Sequence, residues 1–167
     1  MNVDDLNGLS VRDAAFLLSG WCGAQAFVTG MEKQRPFFSC DGIHTVADQV
    51  LDKLTDEDWL EAFAAHPRLG DLESLKMKYA GNREWSAGEQ SGVRSADDRV
   101  LTELAERNEA YFQRFGFIFI LKATGKSARE MLEAIRSRIN NQREREIKIA
   151  AEQQRLITHL RIDKQLA

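Results

Sequence analysis

Apolar side chains recur along this chain at intervals of three and four residues, the repeat of one helix face, and strand-like alternation is confined to one short stretch. Ser10 caps a predicted helix carrying Ala14, Phe16, Leu17 and Leu18, with Asp13 in the first turn, where its charge complements the helix dipole. A second helix is expected over residues 22–31. The chain then breaks at Arg35-Pro36, because a residue before proline is pushed out of the helical region. Asp41-Gly42 reads as a turn, and Val46, Val50, Leu51 and Leu54 follow at helix spacing. Thr55-Asp56-Glu57-Asp58 opens a helix through Trp59, Leu60 and Phe63, which Pro67 ends just after His66.

Residues 79–95 hold Gly81, Gly88 and Gly92 and read as a loop with a single helical turn in it. Ser95-Ala96-Asp97-Asp98 then caps a longer helix through Leu101, Leu104 and Tyr111. The run Phe115-Gly116-Phe117-Ile118-Phe119-Ile120-Leu121 is ambiguous. Its aromatic and β-branched residues favour an extended form, but it is short and has no evident partner strand, so it reads as an irregular buried segment between helices. Ser127-Ala128-Arg129-Glu130 is a capping box for a helix through Met131, Leu132 and Ile135. A long polar helix is expected over about residues 140–160, with Ile147, Ala150, Ala151, Gln154 and Ile157 near one stripe. The pattern as a whole predicts an all-α, multi-helix bundle forming a single domain over residues 1–167.

Composition narrows the function classes. The chain has 167 residues, enough to close one core, with 43% hydrophobic and 29% charged residues. A net charge of −3 gives no concentrated positive surface, so nucleic acid is not an expected partner. The two cysteines, Cys22 and Cys40, form neither a disulfide framework nor a metal-ligand spacing and read as free thiols. Residues 115–121 are the longest strongly apolar run, far short of the roughly 20 residues that cross a bilayer, so no membrane partner is expected. No basic start with an apolar run behind it opens the chain, and a cytoplasmic location is the expectation.

Three histidines can be weighed one by one. His44 reads as a surface or capping residue near a helix start, and His159 as a solvated or interface residue on the last helix. His66 sits at a helix C-terminus, where the dipole favours the imidazolium, and a proline follows it. It reads either as a helix cap or as a group placed to exchange a proton near neutral pH. Ser86-Ala87-Gly88-Glu89-Gln90 also has two readings: a capping box, or a hydroxyl, carboxylate and carboxamide gathered on one helix turn around a polar ligand. Arg136, Arg138, Arg143, Arg145 and Lys148, interleaved with Glu144 and Glu146, read as a solvated face of mixed charge. Arg161, between Leu160 and Ile162, can snorkel from a core or clamp a carboxylate. No phosphate loop, nucleophile elbow or two-histidine metal motif is present. A metal-dependent hydrolase is thus disfavoured, and a non-catalytic helical domain that binds a purine-derived metabolite or a protein partner stands as the alternative to an enzyme.

Taken in order, these segments resemble the OHCU decarboxylase family, whose members act on 2-oxo-4-hydroxy-4-carboxy-5-ureidoimidazoline. The likeness runs from Leu17-Leu18 and Cys22-Gly23 through Met31-Glu32-Lys33-Gln34-Arg35-Pro36-Phe37 and Asp58-Trp59-Leu60 to His66-Pro67-Arg68-Leu69-Gly70. It continues through Ser86-Ala87-Gly88-Glu89-Gln90, residues 115–120 and Arg138-Ile139-Asn140-Asn141 to Leu160-Arg161-Ile162. The resemblance implies an all-α fold, a homodimer, and conversion of OHCU to (S)-allantoin and CO₂ without cofactor or metal. It implies His66 as catalytic acid/base, with Pro67 beside the substrate and Glu89 as the second catalytic residue. Ser86, Ala87, Gly88, Glu89 and Gln90 are implied substrate contacts, as are the backbone of Phe119, Ile120, Leu121, Lys122 and Ala123 and the side chain of Arg161. Three positions depart from the family pattern: Phe27 for tryptophan, Ile162 for leucine, and Gln153 where an apolar residue is frequent.

Overall fold

The computed structural model describes residues 1–68, 71–80 and 90–167, with residues 80 and 90–96 described as backbone alone. Among the described residues all regular structure is helical. In chain order the helices are α1 (Val3–Gly8), α2 (Val11–Trp21), α3 (Gln25–Glu32), α4 (Cys40–Leu51), α5 (Asp56–Ala64), α6 (Leu72–Ala80), α7 (Gln90–Phe115), α8 (Ala128–Arg138) and α9 (Arg143–Leu166). Two compact units result. The first comprises Met1–His66, Ile120–Lys122 and Ile147–Ala167, the second Pro67–Phe119 and Ala123–Glu146.

In the first unit the caps explain where the helices begin. Ser10 accepts the Asp13 N–H at 3.1 Å and returns its hydroxyl to the Asp13 carboxylate at 2.7 Å. Thr55 and Asp58 satisfy each other's backbone N–H groups at 3.2 and 2.9 Å. The expected turn at Asp41-Gly42 is instead the first turn of α4, because the Ser39 hydroxyl accepts the Gly42 N–H at 3.0 Å and caps the helix ahead of it. α3 begins at Gln25 rather than residue 22, since Cys22 is extended and the Glu61 carboxylate takes the Gln25 N–H at 2.6 Å. α1 was not foreseen. It is six residues long with one buried residue, Leu6, too little for a periodic signal, and Asn2 and Asp5 hold it by a reciprocal cap.

The core of this unit is built from Leu6, Leu18, Phe27, Met31, Ile43, Leu51, Phe63 and Ile162, all fully buried. Ala14, Leu18 and Trp21 form the inner face of α2, which leaves Phe16 82% exposed although it belongs to the same apolar run. Arg35 ties the chain after α3 to the end of α1, donating to Asn7 O at 2.7 Å, Leu9 O at 2.6 Å and both Glu32 carboxylate oxygens. Gly23 lies so close to Ala65 that a Cβ added there would overlap the Ala65 side chain. Gly23→Ala is therefore expected to cost about 1–3 kcal/mol by overpacking. Urea unfolding checks this, and a variant of wild-type stability would refute the contact.

In the second unit α7 starts at Gln90, ahead of the expected cap at Ser95. Its backbone is helical through Ser95-Asp98, since extending a formed helix costs little compared with starting one. It ends at Gly116, whose φ of +77° a glycine adopts without strain and whose N–H returns to Phe112 O at 2.8 Å. α6 was also missed. Its apolar signal is thin, with Leu75 as its buried anchor, and Asp71 starts it by accepting the Ser74 N–H at 2.7 Å. Of the irregular segment expected over residues 115–121, Phe115 closes α7, and residues 117–121 form no helix or strand, with Phe117 buried here and Ile120 buried in the first unit.

The solvated face expected over residues 136–148 is corrected at its centre. Glu146 is fully buried and accepts from the Tyr111 hydroxyl at 2.5 Å, Arg138 Nε at 2.7 Å and Asn141 Nδ2 at 3.0 Å. The Arg138 guanidinium lies 4.3 Å over the Phe119 ring, and Tyr111 packs edge-on to that ring at 5.2 Å. Helix periodicity carries Arg138 and Glu146 inward, and pairing makes their burial tolerable. Burial also raises the Tyr111 hydroxyl far above its usual range, so it stays a hydrogen-bond donor.

Candidate active site

His66 follows the C-cap of α5, its N–H returning to Phe63 O at 3.2 Å. The side chain is half-buried, and its Nε2 meets the Gln154 carboxamide oxygen. From there a directed chain runs into the core: Gln154 Nε2 to Thr158 Oγ1 at 3.2 Å, and Thr158 Oγ1 to the Trp21 carbonyl at 3.2 Å. A carbonyl can only accept, so the threonine must donate to it and accept from the Gln154 amide. That leaves Oε1 toward the histidine and puts the proton on Nε2. Gln154 and Thr158 have no exposed surface, so the tautomer is set from within the core. His66 Nδ1 keeps its lone pair, with no hydrogen-bond partner among the described residues.

The electrostatics correct one expectation. The helix end was expected to keep His66 charged, yet its pKa is lowered from the ordinary 6.5. Burial is the main cause; the Gln154 hydrogen bond opposes it, and the positive charge of Arg161 adds to it. Desolvation and a neighbouring cation outweigh the helix carbonyls, so the neutral imidazole is the favoured form.

Arg161 is anchored through Nη1 to Gly20 O at 3.0 Å and Trp21 O at 3.3 Å. No carboxylate among the described residues pairs with it, so its charge is uncompensated there, and burial lowers its pKa. Cys22 lies nearby with its thiol pushed up to about 11, chiefly by burial, and is a protonated, inert neighbour. Ile120, Leu121 and Lys122 belong to this same unit. The Lys122 N–H is already given to Gln153 Oε1 at 3.0 Å, so Gln153, a departure from the family pattern, pins this segment to α9.

A neutral histidine with one locked and one free nitrogen, beside an unpaired arginine, suits proton exchange on an anionic substrate. The family model for OHCU decarboxylase matches residues 7–163. The chain belongs to the OHCU decarboxylase family.

Relatives within the family include the uric acid degradation bifunctional protein TTL of Arabidopsis thaliana, 36% identical over 143 residues, which cover 86% of this chain and 44% of that protein. The 2-oxo-4-hydroxy-4-carboxy-5-ureidoimidazoline decarboxylase of Haloferax volcanii is 26% identical over 128 residues, covering 77% of this chain and 73% of that one. Among solved structures, an OHCU decarboxylase crystallised in the presence of (S)-allantoin superposes with a TM-score of 0.70 at 34% identity, covering 89% of this chain and 95% of that one. The all-α fold is shared with it. The chain spans less than half the length of the bifunctional relatives, 44% of the plant protein and 32% of the one from Bacillus sp..

The described residues that follow His66 have separate surroundings. Pro67 is exposed, Arg68 pairs with Glu109 and lies 4.3 Å over the Phe112 ring, and Asp71 caps α6. The Ser74 backbone hydrogen bond holds the Asp71 carboxyl below its usual range. Ser86, Ala87, Gly88 and Glu89 lie outside the described residues, as do Leu69 and Gly70, and Gln90 is the first residue of α7. Phe119 and Ala123 belong to the second unit, where the Phe119 ring sits under Arg138.

Gln154 and Thr158 escaped the sequence reading as functional groups. Their signal was two polar residues four apart on the buried stripe of α9, where apolar ones would be expected. The surface readings of His44 and His159 are overturned too: both are half-buried and bonded to each other through their Nδ1 atoms.

Proposed function

We propose that this protein decarboxylates OHCU to (S)-allantoin, with His66 as the proton-handling group. The observation that carries this reading is the locked His66 tautomer, whose Nδ1 has no hydrogen-bond partner among the described residues and whose ring feels the positive charge of Arg161. The substrate brings its own electron sink. Its carboxylate sits on a carbon that bears a hydroxyl and adjoins a C=N bond. As the bond to CO₂ breaks, its electron pair forms a C=C bond to the ureido-bearing carbon, and the imine pair takes a proton on nitrogen. The hydroxyl then gives up its proton as it becomes the carbonyl, and the ureido-bearing carbon gains one on a single face. Neutral His66 exchanges the hydroxyl proton through Nδ1, and Arg161 holds the carboxylate or ring oxygen.

Glu89 is assigned as the catalytic partner of His66 on the resemblance. Pro67, Ser86, Ala87, Gly88 and Gln90, with the backbone of Phe119, Ile120, Leu121, Lys122 and Ala123, are assigned to substrate contact on the same ground. The whole chain is read as one functional domain. A homodimer is part of this reading, supported by the exposed Phe16 and Phe38 rings, and a monomer in sedimentation velocity would reject it. Among the described residues no helix is long and apolar enough to cross a membrane. A cytoplasmic location completes the proposal, with cell fractionation as its check.

The direct test generates OHCU in situ from urate and follows chirality by circular dichroism. Fast appearance of (S)-allantoin is the expected result, and slow decay to racemic product would reject the function. The pH profile tests the charge state. Because the reactive form is neutral and the pKa is depressed, kcat/KM should stay flat as pH falls through the ordinary value of 6.5. It should fall about tenfold per unit only below that, where His66 becomes protonated. An acid limb centred above 6.5 would contradict the assigned electrostatics.

A further inference from the structure

Two pairs of side chains four residues apart come together on α4 and α9. Cys40 and His44 lie on α4, His159 and Asp163 on α9, each pair stacked along one helix face. The Cys40 sulfur, a His44 ring nitrogen and an Asp163 carboxylate oxygen all lie within 4.8 Å of one another. His44 Nε2 is 2.7 Å from Asp163 Oδ1. The other ring nitrogen, Nδ1, faces His159 Nδ1, and the two rings stack with centroids 4.7 Å apart. Behind them His159 Nε2 reaches Asp48 Oδ1 at 2.8 Å, and Asp48 is held in turn by Arg155 at 2.8 Å.

We propose that Cys40, His44 and Asp163 bind one divalent zinc-type ion, at a site separate from His66. A thiolate, an imidazole and a carboxylate make a mixed sulfur, nitrogen and oxygen donor set suited to Zn²⁺, leaving a fourth tetrahedral position for water. Ligands about 2.0–2.3 Å from such an ion lie about 3.3–3.7 Å apart. Asp163, with its side chain 62% exposed, can swing back from His44 by the roughly 0.6–1.0 Å that this requires. Asp41, one residue from Cys40, adds negative charge that favours a cation.

The surroundings supply what a ligating histidine needs beyond the ion. With Nε2 on the metal, His44 carries its proton on Nδ1 and donates it to His159 Nδ1, while His159 donates Nε2–H to Asp48. Metal-bound histidines are commonly oriented through their second nitrogen in this way. Binding takes the proton from the Cys40 thiol, His44 offers the Nε2 lone pair of its neutral ring, and no other reactant is consumed. None of the three ligands is a partner of His66. The residues that set its tautomer, Gln154 and Thr158, lie on an adjoining stripe of α9, one residue out of phase with Arg155, His159 and Asp163. The ion would clip α9 to α4 and leave the decarboxylation to the substrate and His66.

The test is a Co²⁺ titration of the chelator-treated, full-length protein, with Zn²⁺ as competitor. One equivalent should produce a thiolate-to-cobalt charge-transfer band with tetrahedral ligand-field absorption, and Zn²⁺ should displace it and raise the Tm by mass action. Cys40→Ser should abolish the band, whereas Cys22→Ser should retain it. His44→Asn and Asp163→Asn should each weaken binding by more than about tenfold, and His159→Asn by about 10–100-fold. Far-ultraviolet circular dichroism confirms that each variant is folded. Absence of the band in the wild-type protein, its persistence in Cys40→Ser, or unchanged affinity in both His44→Asn and Asp163→Asn would overturn the site.

Discussion

His66→Asn is expected to lower kcat for OHCU decarboxylation by about 10²–10⁴, the range for loss of a positioned general acid or base. That is about 3–5 kcal/mol in the barrier, and the fold should be intact because the side chain is only half-buried at a helix end. KM should change much less, since in the proposed mechanism Arg161, and not the imidazole, meets the substrate charge. A companion variant separates the proton from its positioning. Gln154→Leu removes the acceptor on Nε2 and frees the tautomer, so kcat should fall while the acid limb moves further down, because that hydrogen bond supports the charged ring. The limb is read from kcat/KM against pH by the chirality assay. Near-wild-type kcat in His66→Asn would remove the histidine from the chemistry.

The largest stability effect is expected far from the reacting groups. Glu146→Ala should destabilise the second unit by about 3–5 kcal/mol, the cost of leaving one member of a buried ion pair unmatched. Glu146 is fully buried, Arg138 is 7% exposed, and the Tyr111 hydroxyl and Asn141 amide lose their acceptor as well. Removing both charges with Arg138→Met and Glu146→Leu should recover most of that loss, because the desolvation cost disappears with the pair. Arg136 and Glu103 form an exposed pair on the same unit, and Glu103→Ala should leave the unfolding midpoint nearly unchanged. Urea unfolding followed by tryptophan fluorescence and circular dichroism compares the three. Equal midpoints for Glu146→Ala and Glu103→Ala would show that the buried pair adds nothing.

Helix spacing, the caps at Ser10, Thr55 and Ser127, and the proline after His66 were determined locally, which is why the sequence alone yields the all-α class and most helix starts. Cap chemistry acts over three or four residues, a range that one sequence window contains. Short helices were harder: α1 and α6 bury too few side chains to leave a period, and only Asn2 and Asp71, read as caps, would have revealed them. The motif around His66 was legible as a motif, yet its electrostatic sense was not. Its neutrality comes from burial and from Arg161, 95 residues further along the chain, and its tautomer from Gln154, Thr158 and a carbonyl at Trp21. The pairings of His44 with Asp163 and of Glu146 with Tyr111 are likewise made between helices. Desolvation and Coulomb interaction depend on what surrounds a group in space, so the charge state of His66 was decided only when α9 packed beside it.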